Sequence, residues 1–155
     1  MIEQQIPLNI LLADDDIDDC IFFNGALKKS LIATSLISVH DGKKLMELLI
    51  NNISKLPDVL FLDLNMPRKN GFECLSEIKL SAELKHIPVI MFSTSNDQGV
   101  VDRLYENGAQ YFIRKPALIS RFEKIIHHSL TLIAKRNRLQ PARENFELET
   151  EIEVA

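Results

Sequence analysis

The stretch LLADDDIDDC, Leu11 to Cys20, decides how the rest of the chain is read. An apolar run ends at Ala13, and five aspartates follow within six positions: Asp14, Asp15, Asp16, Asp18 and Asp19. Like charges this close repel, so the cluster needs a purpose. Asp16 suits an N-cap, because its carboxylate can accept from the exposed N–H groups of the helix that follows. Asp18 and Asp19 then fall in the first helical turn, where the dipole favours negative charge. Asp14 and Asp15 are left at the end of a short buried strand.

The same pattern of an apolar run followed by a helical period repeats along the chain. Strand-like segments are Ile10–Ala13, Thr34–His40, Val59–Leu62, Val89–Phe92 and Gln110–Arg114. Helical segments are Ile17–Leu31, Gly42–Ile53, Phe72–Leu80, Asp97–Asn107 and Leu118–Ile133. In the first helix Cys20, Phe23, Leu27 and Leu31 share a face; in the last, Phe122, Ile125, Ile126, Ser129 and Ile133 do. Strict alternation of five strands and five helices predicts an α/β domain with a parallel sheet covered on both sides. The runs around Leu11, Leu60 and Ile90 do not alternate with polar residues, as befits strands buried on both faces.

In open α/β sheets, ligands bind beyond the carboxyl ends of the strands. The residues at those ends are Asp14 and Asp15, Asp63, Ser93 and Thr94, and Lys115. Three carboxylates, a hydroxyl and an ammonium would share one edge. Hard oxygen donors of this kind suit Mg²⁺, which keeps several waters and takes one or two protein carboxylates. An isolated aspartate at a strand end is more often a turn former; the concurrence of several at one edge carries the site.

These residues resemble the receiver domain of response regulators, the phosphoacceptor half of two-component signalling. The resemblance runs from about Leu8 to Ile133 and is carried by LLADD, LFLDLNMPRKNGFECLSEIK, IPVIMFSTS and GAQYFIRKP. The stretch DLNMPRKNG is similar to stand-alone regulators paired with phytochrome-type kinases. The resemblance implies a flavodoxin-like, five-stranded parallel sheet of order 2-1-3-4-5 with five helices on both faces. It implies phosphorylation at Asp63, direct Mg²⁺ binding by Asp15 and binding largely through water by Asp14, with the Asn65 carbonyl as a further ligand. Lys115 would pair with the phosphoryl group, Ser93 would grip a phosphoryl oxygen, and Phe112 would stand at the aromatic switch position, beside Tyr111. The Lys115–Pro116 bond would be cis. The function implied is a single-domain regulator that accepts a phosphoryl group from a sensor histidine kinase or phosphotransfer protein, then signals by conformational change or onward relay. It would catalyse only its own transfer and dephosphorylation.

Two rival readings are a Mg²⁺-dependent aspartyl-phosphate phosphatase and a receiver-like module that is never phosphorylated. The first wants a second Asp two residues after Asp63, where this chain has Asn65. The second leaves the complete set of acidic, hydroxyl and lysine positions without a use.

The remaining features bound the answer. The 155 residues fit a receiver at 1–135 and a tail at 136–155. A net charge of −4 disfavours nucleic acid as a partner, and no apolar stretch reaches membrane-spanning length, so the expected location is the cytoplasm. Cys20 and Cys74 suggest no disulfide framework. His40, His86, His127 and His128 lack ligand spacing and read as surface or interface residues, the last two on the outer side of the final helix. The basic run AKRNR, Ala134–Arg138, suits a solvated helix end. Pro141 argues against a continuous helix through the junction with the tail. In the tail, FELETEIEV from Phe146 to Val154 alternates apolar or β-branched residues with Glu, a strand pattern with one acidic face. It would add to an exposed sheet edge, strand two or five, in its own chain or a neighbour's; a disordered acidic end is the alternative. A homodimer through the fourth-helix and fifth-strand face, or through this tail, is compatible with the pattern.

Overall fold

The computed structural model describes residues 6–95, 97–135 and 139–149. Strands β1 (Leu8–Ala13), β2 (Thr34–Val39), β3 (Val59–Asp63), β4 (Val89–Ser93) and β5 (Tyr111–Arg114) alternate with helices α1 (Ile17–Lys29), α2 (Gly42–Asn51), α3 (Gly71–Leu80), α4 (Gln98–Glu106) and α5 (Ile119–Ala134). A 3₁₀ turn at Arg143–Asn145 and a short strand β6 (Glu147–Leu148) follow. The sheet order is β2-β1-β3-β4-β5-β6, and every pairing is parallel. The flavodoxin-like order expected for five strands is present; the sheet has six, because the tail adds β6 to the β5 edge.

Alternation along the strands divides the core into two layers. Leu11, Ala13, Leu60, Leu62, Val89 and Met91 face α2, α3 and α4. Ile10, Leu12, Val59, Phe61, Ile90 and Phe92 face α1 and α5. This is why the central runs read as continuously apolar: each residue meets a helix on one side or the other. Phe23 of α1 packs edge-on against Phe61, with ring centroids 4.8 Å apart, and Phe92 and Phe122 extend that aromatic cluster.

The helix starts follow from capping chemistry. Asp16 accepts from the N–H groups of Asp18 and Asp19, as its position predicts. Asn70 and Glu73 form a reciprocal capping box at α3. Asp41 and Asp97 cap α2 and α4.

Three expectations need correction. Helix α1 stops at Lys29, because Ser30 leaves helical geometry and its hydroxyl accepts from Ile32 N–H; Leu31 is therefore 89% exposed rather than on the inner face. No peptide bond among the described residues is cis, so Lys115–Pro116 is trans, the form an X–Pro bond ordinarily prefers by about 0.5–1 kcal/mol. The tail joins the β5 edge as expected, but its described part, Phe146 to Glu149, does not keep one apolar and one acidic face. The 3₁₀ turn ends at Phe146 in helical geometry, so Phe146 enters the α2–α3–α4 layer while Leu148 enters the α1–α5 layer. Residues 136–138 and 150–155, with parts of the basic run and of the alternating tail, lie outside the described residues.

Candidate functional site

Parallel strands end together, and that brings residues far apart in sequence to one edge. Asp14 follows β1, Asp63 closes β3, Ser93 closes β4 and Lys115 follows β5. The carboxylates of Asp14, Asp15 and Asp63 lie within 4.8 Å of one another. Asp14 and Asp63 are buried, while Asp15 is exposed. Two oxygens bound to one Mg²⁺ at 2.0–2.1 Å can be at most about 4.2 Å apart, so the three carboxylates need close by only about half an ångström to share such an ion. The all-oxygen donor set fits a hard divalent cation.

Lys115 sits among these carboxylates. Its Nζ is 3.1 Å from Asp14 Oδ2, 3.2 Å from Asp63 Oδ1 and 2.7 Å from Asp19 Oδ2. Asp19 is the residue that sequence reasoning missed: its place in the first turn of α1 explained it fully as a dipole partner. The overlooked signal was its place one helical turn after Asp15, which aims the side chain back at the strand ends. Four carboxylates around one ammonium leave a formal charge of −3.

Burial and this crowding of charge together shift the protonation equilibria. Burial pushes Asp63 up to about 7 from 3.8, Asp14 adds to the rise, and Lys115 and the Asn65 N–H oppose it. Asp14 is raised as well, chiefly by burial, against the Asp16 N–H and Lys115. Burial would lower Lys115, but its contacts with Asp19, Asp63 and Asp14 outweigh that and hold it firmly charged. Asp14 Oδ1 also accepts from Asp16 N–H at 2.9 Å, which anchors the carboxylate on the turn into α1.

Local backbone demands explain the loop after β3. Gly71 opens α3 hard against the Asp63 carbonyl: a Cβ there would lie 2.2 Å from Asp63 O. Arg68 in the same loop has φ 67°, a left-handed conformation uncommon for a residue other than glycine. Gly71 is thus a packing requirement for the position of Asp63.

Of the other expected residues, Asn65 is exposed and its N–H approaches Asp63 Oδ1 at 3.5 Å. Ser93 is buried, and its Oγ accepts from Ser95 N–H at 3.1 Å. Phe112 lies on the same sheet face as Ser93, buried, two strand positions from the edge. Tyr111 is half-buried and packs against the opposite layer. Cys20 Sγ and His40 Nδ1 both reach the Asp14 backbone carbonyl, at 3.6 and 3.0 Å, a convergence that neither residue's spacing announces. Cys74 is buried in the α2–α3–α4 layer, and burial raises both thiols to about 11. His127 and His128 are exposed on α5, as expected. Among the described residues no helix is long and apolar enough to cross a membrane.

Comparison with known proteins agrees with this geometry. The family model for the response regulator receiver domain matches residues 10–127. The response regulator Rcp1 of Synechocystis sp. is 34% identical over 128 residues, covering 80% of this chain and 87% of its own. The structure of the phosphorylated cyanobacterial phytochrome response regulator RcpA superposes with a TM-score of 0.79 at 30% identity, over 88% of this chain and 100% of the other. That of the Mn²⁺-bound form of Rcp1 gives 0.75 at 31% identity, with the same coverage. The phosphorylated and the metal-bound relative share the sheet whose strand ends carry Asp14, Asp15, Asp63 and Lys115 here, and this chain belongs to the response regulator receiver domain family.

Proposed function

We propose that this protein is a phosphorylatable signalling switch in which Asp63 accepts a phosphoryl group from a phosphohistidine on a histidine kinase or phosphotransfer protein, with Mg²⁺ as the cofactor. The observation that carries this reading is the burial of Asp63 in one cluster with Asp14, Asp15 and the Lys115 ammonium, which is 3.2 Å away. Asp14, Asp15, Asp63 and the Asn65 carbonyl would hold the metal, which when bound supplies positive charge opposite the phosphoryl oxygens.

The chain's own groups do the rest. An Asp63 carboxylate oxygen attacks phosphorus as the phosphorus–nitrogen bond of the donor breaks; the bonding pair leaves with the imidazole, and an acyl phosphate remains on Asp63. The attacking group must be ionised, which burial and then the neighbouring Asp14 oppose below about pH 7 and a bound cation favours. Lys115 stays charged throughout and exchanges part of its carboxylate contacts for the incoming anion. The Ser93 hydroxyl donates to a phosphoryl oxygen, and Phe112 follows into the space it leaves.

A donor protein needs a surface to dock on. Ile17 and Ile21 stand one turn apart on α1, 59% and 61% exposed, and Leu118 and Ile119 are exposed just past Lys115. Apolar groups of this size flanking a charged site suit a helical partner such as the phosphohistidine-bearing bundle of a kinase, here of the phytochrome-associated kind. In the same reading residues 1–135 are the receiver and 136–155 an appended segment, in the cytoplasm.

The test is incubation with acetyl phosphate and Mg²⁺. Intact mass should increase by one phosphoryl group, the label should map to Asp63, and both should vanish with chelator and in Asp63→Asn. Continuous turnover of the donor with no retained label would instead indicate a phosphatase, and no reaction at all an inert binding module.

A further inference from the structure

We infer that residues 139–149 form an intramolecular strap that closes the α4–β5 face while Asp63 is unmodified and is released from it when Asp63 is phosphorylated; the inference rests on the reading of Asp63 as phosphoacceptor. The strap is built, not draped. Phe146 is fully buried, edge-on to Tyr105 with centroids 5.0 Å apart and tilted over Phe112 at 6.5 Å. Phe112 N–H donates to Phe146 O at 3.0 Å, and β6 continues the pairing. Tyr105 OH donates to Pro141 O at 2.8 Å. Arg143 bridges Asp102 Oδ1 and Gln98 Oε1, and Gln98 Nε2 donates to Glu147 Oε1.

The anchors in the first turns of α4, Gln98 and Asp102, lie at the end of a short chain of hydrogen bonds from the phosphorylation edge. Ser95 N–H donates to Ser93 Oγ at 3.1 Å. Asp97 N–H donates to Ser95 Oγ at 3.2 Å. Asp97 in turn caps α4, accepting from Gly99 N–H at 2.8 Å, immediately beside Gln98 and one turn before Asp102. A Ser93 hydroxyl that turns and moves toward a phosphoryl oxygen withdraws its lone pair from Ser95 N–H. The start of α4 shifts with it, and Gln98 and Asp102, the side chains that hold Arg143 and Glu147, shift too. Phe112, the other wall of the Phe146 slot, lies on the same sheet face as Ser93 and moves in the same event. Both walls of the slot are therefore tied to one hydroxyl. Two sites biasing one two-state element are coupled reciprocally.

The experiment uses the full chain with acetyl phosphate and Mg²⁺. Intact mass reports the label, and amide hydrogen exchange on the same sample reports the strap. In labelled protein the amides of Phe112, Asn145 and Phe146 should exchange about 5–150-fold faster, with β1 and β3 unchanged. Ser95→Ala, which breaks the relay without touching the acidic cluster, should speed the same amides in unlabelled protein. By reciprocity Phe146→Ala should tighten binding of beryllofluoride with Mg²⁺ by the factor that labelling loosens the strap; circular dichroism checks its fold, and Tyr105→Phe serves as the milder substitution. Label on Asp63 with unchanged strap exchange overturns the inference and leaves the phosphoacceptor reading standing. Beryllofluoride affinity that ignores both substitutions also overturns it. Absence of label removes the phosphoacceptor reading and the inference with it.

Discussion

Removing the charge of Asp63 should stabilise the metal-free protein, although it destroys the proposed function. Burial and Asp14 raise Asp63 to about 7 from 3.8. At roughly 1.4 kcal/mol per unit, holding that carboxylate ionised at pH 8 costs up to about 4 kcal/mol. Asp63→Asn relieves this cost but surrenders the 3.2 Å contact with Lys115, which keeps Asp14 and Asp19. The new amide oxygen can still accept from Asn65 N–H, and its NH₂ can donate to Asp14. A net gain of about 1–3 kcal/mol is expected, or roughly 2–12 °C in melting temperature for a chain of this size. The pH dependence has a definite sign. Between about pH 4 and 7 the folded protein binds a proton at Asp63 that the unfolded chain releases, so wild-type stability rises as pH falls from 8 to 5. The advantage of the variant should therefore be present at pH 8 and shrink to near zero at pH 5. Mg²⁺ should stabilise wild type at pH 8 and the variant far less. Urea denaturation in chelator at both pH values, then with Mg²⁺, measures all of this. A variant less stable than wild type at pH 8 without metal would refute the view that the acidic cluster is electrostatically strained.

Other perturbations follow from the same geometry. Lys115→Ala leaves three carboxylates, Asp14, Asp19 and Asp63, without their ammonium and should cost about 3–5 kcal/mol in chelator by denaturation, with Mg²⁺ restoring part of it and labelling by acetyl phosphate falling sharply. Gly71→Ala places a methyl group 2.2 Å from the Asp63 carbonyl; it should cost about 1–3 kcal/mol and slow labelling by moving Asp63, measured by melting temperature and intact mass. Phe23→Ala empties the slot beside Phe61 and Phe92 and should cost about 3–5 kcal/mol in urea denaturation while leaving the acidic edge in place. Asp16→Ala removes two accepted hydrogen bonds at the start of α1 and should cost about 1 kcal/mol.

The strands and the acidic edge were legible because both rest on patterns a sequence displays directly. Val59–Asp63 and Val89–Ser93 are buried throughout, and apolar runs with helical segments between them permit few other arrangements. Asp63 and Lys115 could be placed together because each ends a strand. What could not be read is whatever depends on side-chain reach. Asp19 has a complete local explanation in the helix dipole, so nothing in the sequence pointed to Lys115, 96 residues later. Leu31 continues the helical period of α1 by spacing alone, after Ser30 has already ended the helix. The tail shows its strand pattern plainly, yet one 3₁₀ turn sends Phe146 and Leu148 to opposite layers. Period-two reasoning assumes that the backbone conformation persists, and at that point it does not.

The two rims of the sheet are unlike. On the β2 side, Thr34–Val39 has no strand along its outer border among the described residues, and Ile37 is exposed there. On the β5 side, Phe146 accepts from Phe112 N–H, and Glu147 and Leu148 run in parallel register with Phe112 and Ile113. Lifting those two residues bares a second border, and a parallel sheet open at both ends is a template for extended chain from any source. Self-association that grows with concentration, and that a synthetic Phe146–Glu149 peptide competes away, would be the signature of that bared state.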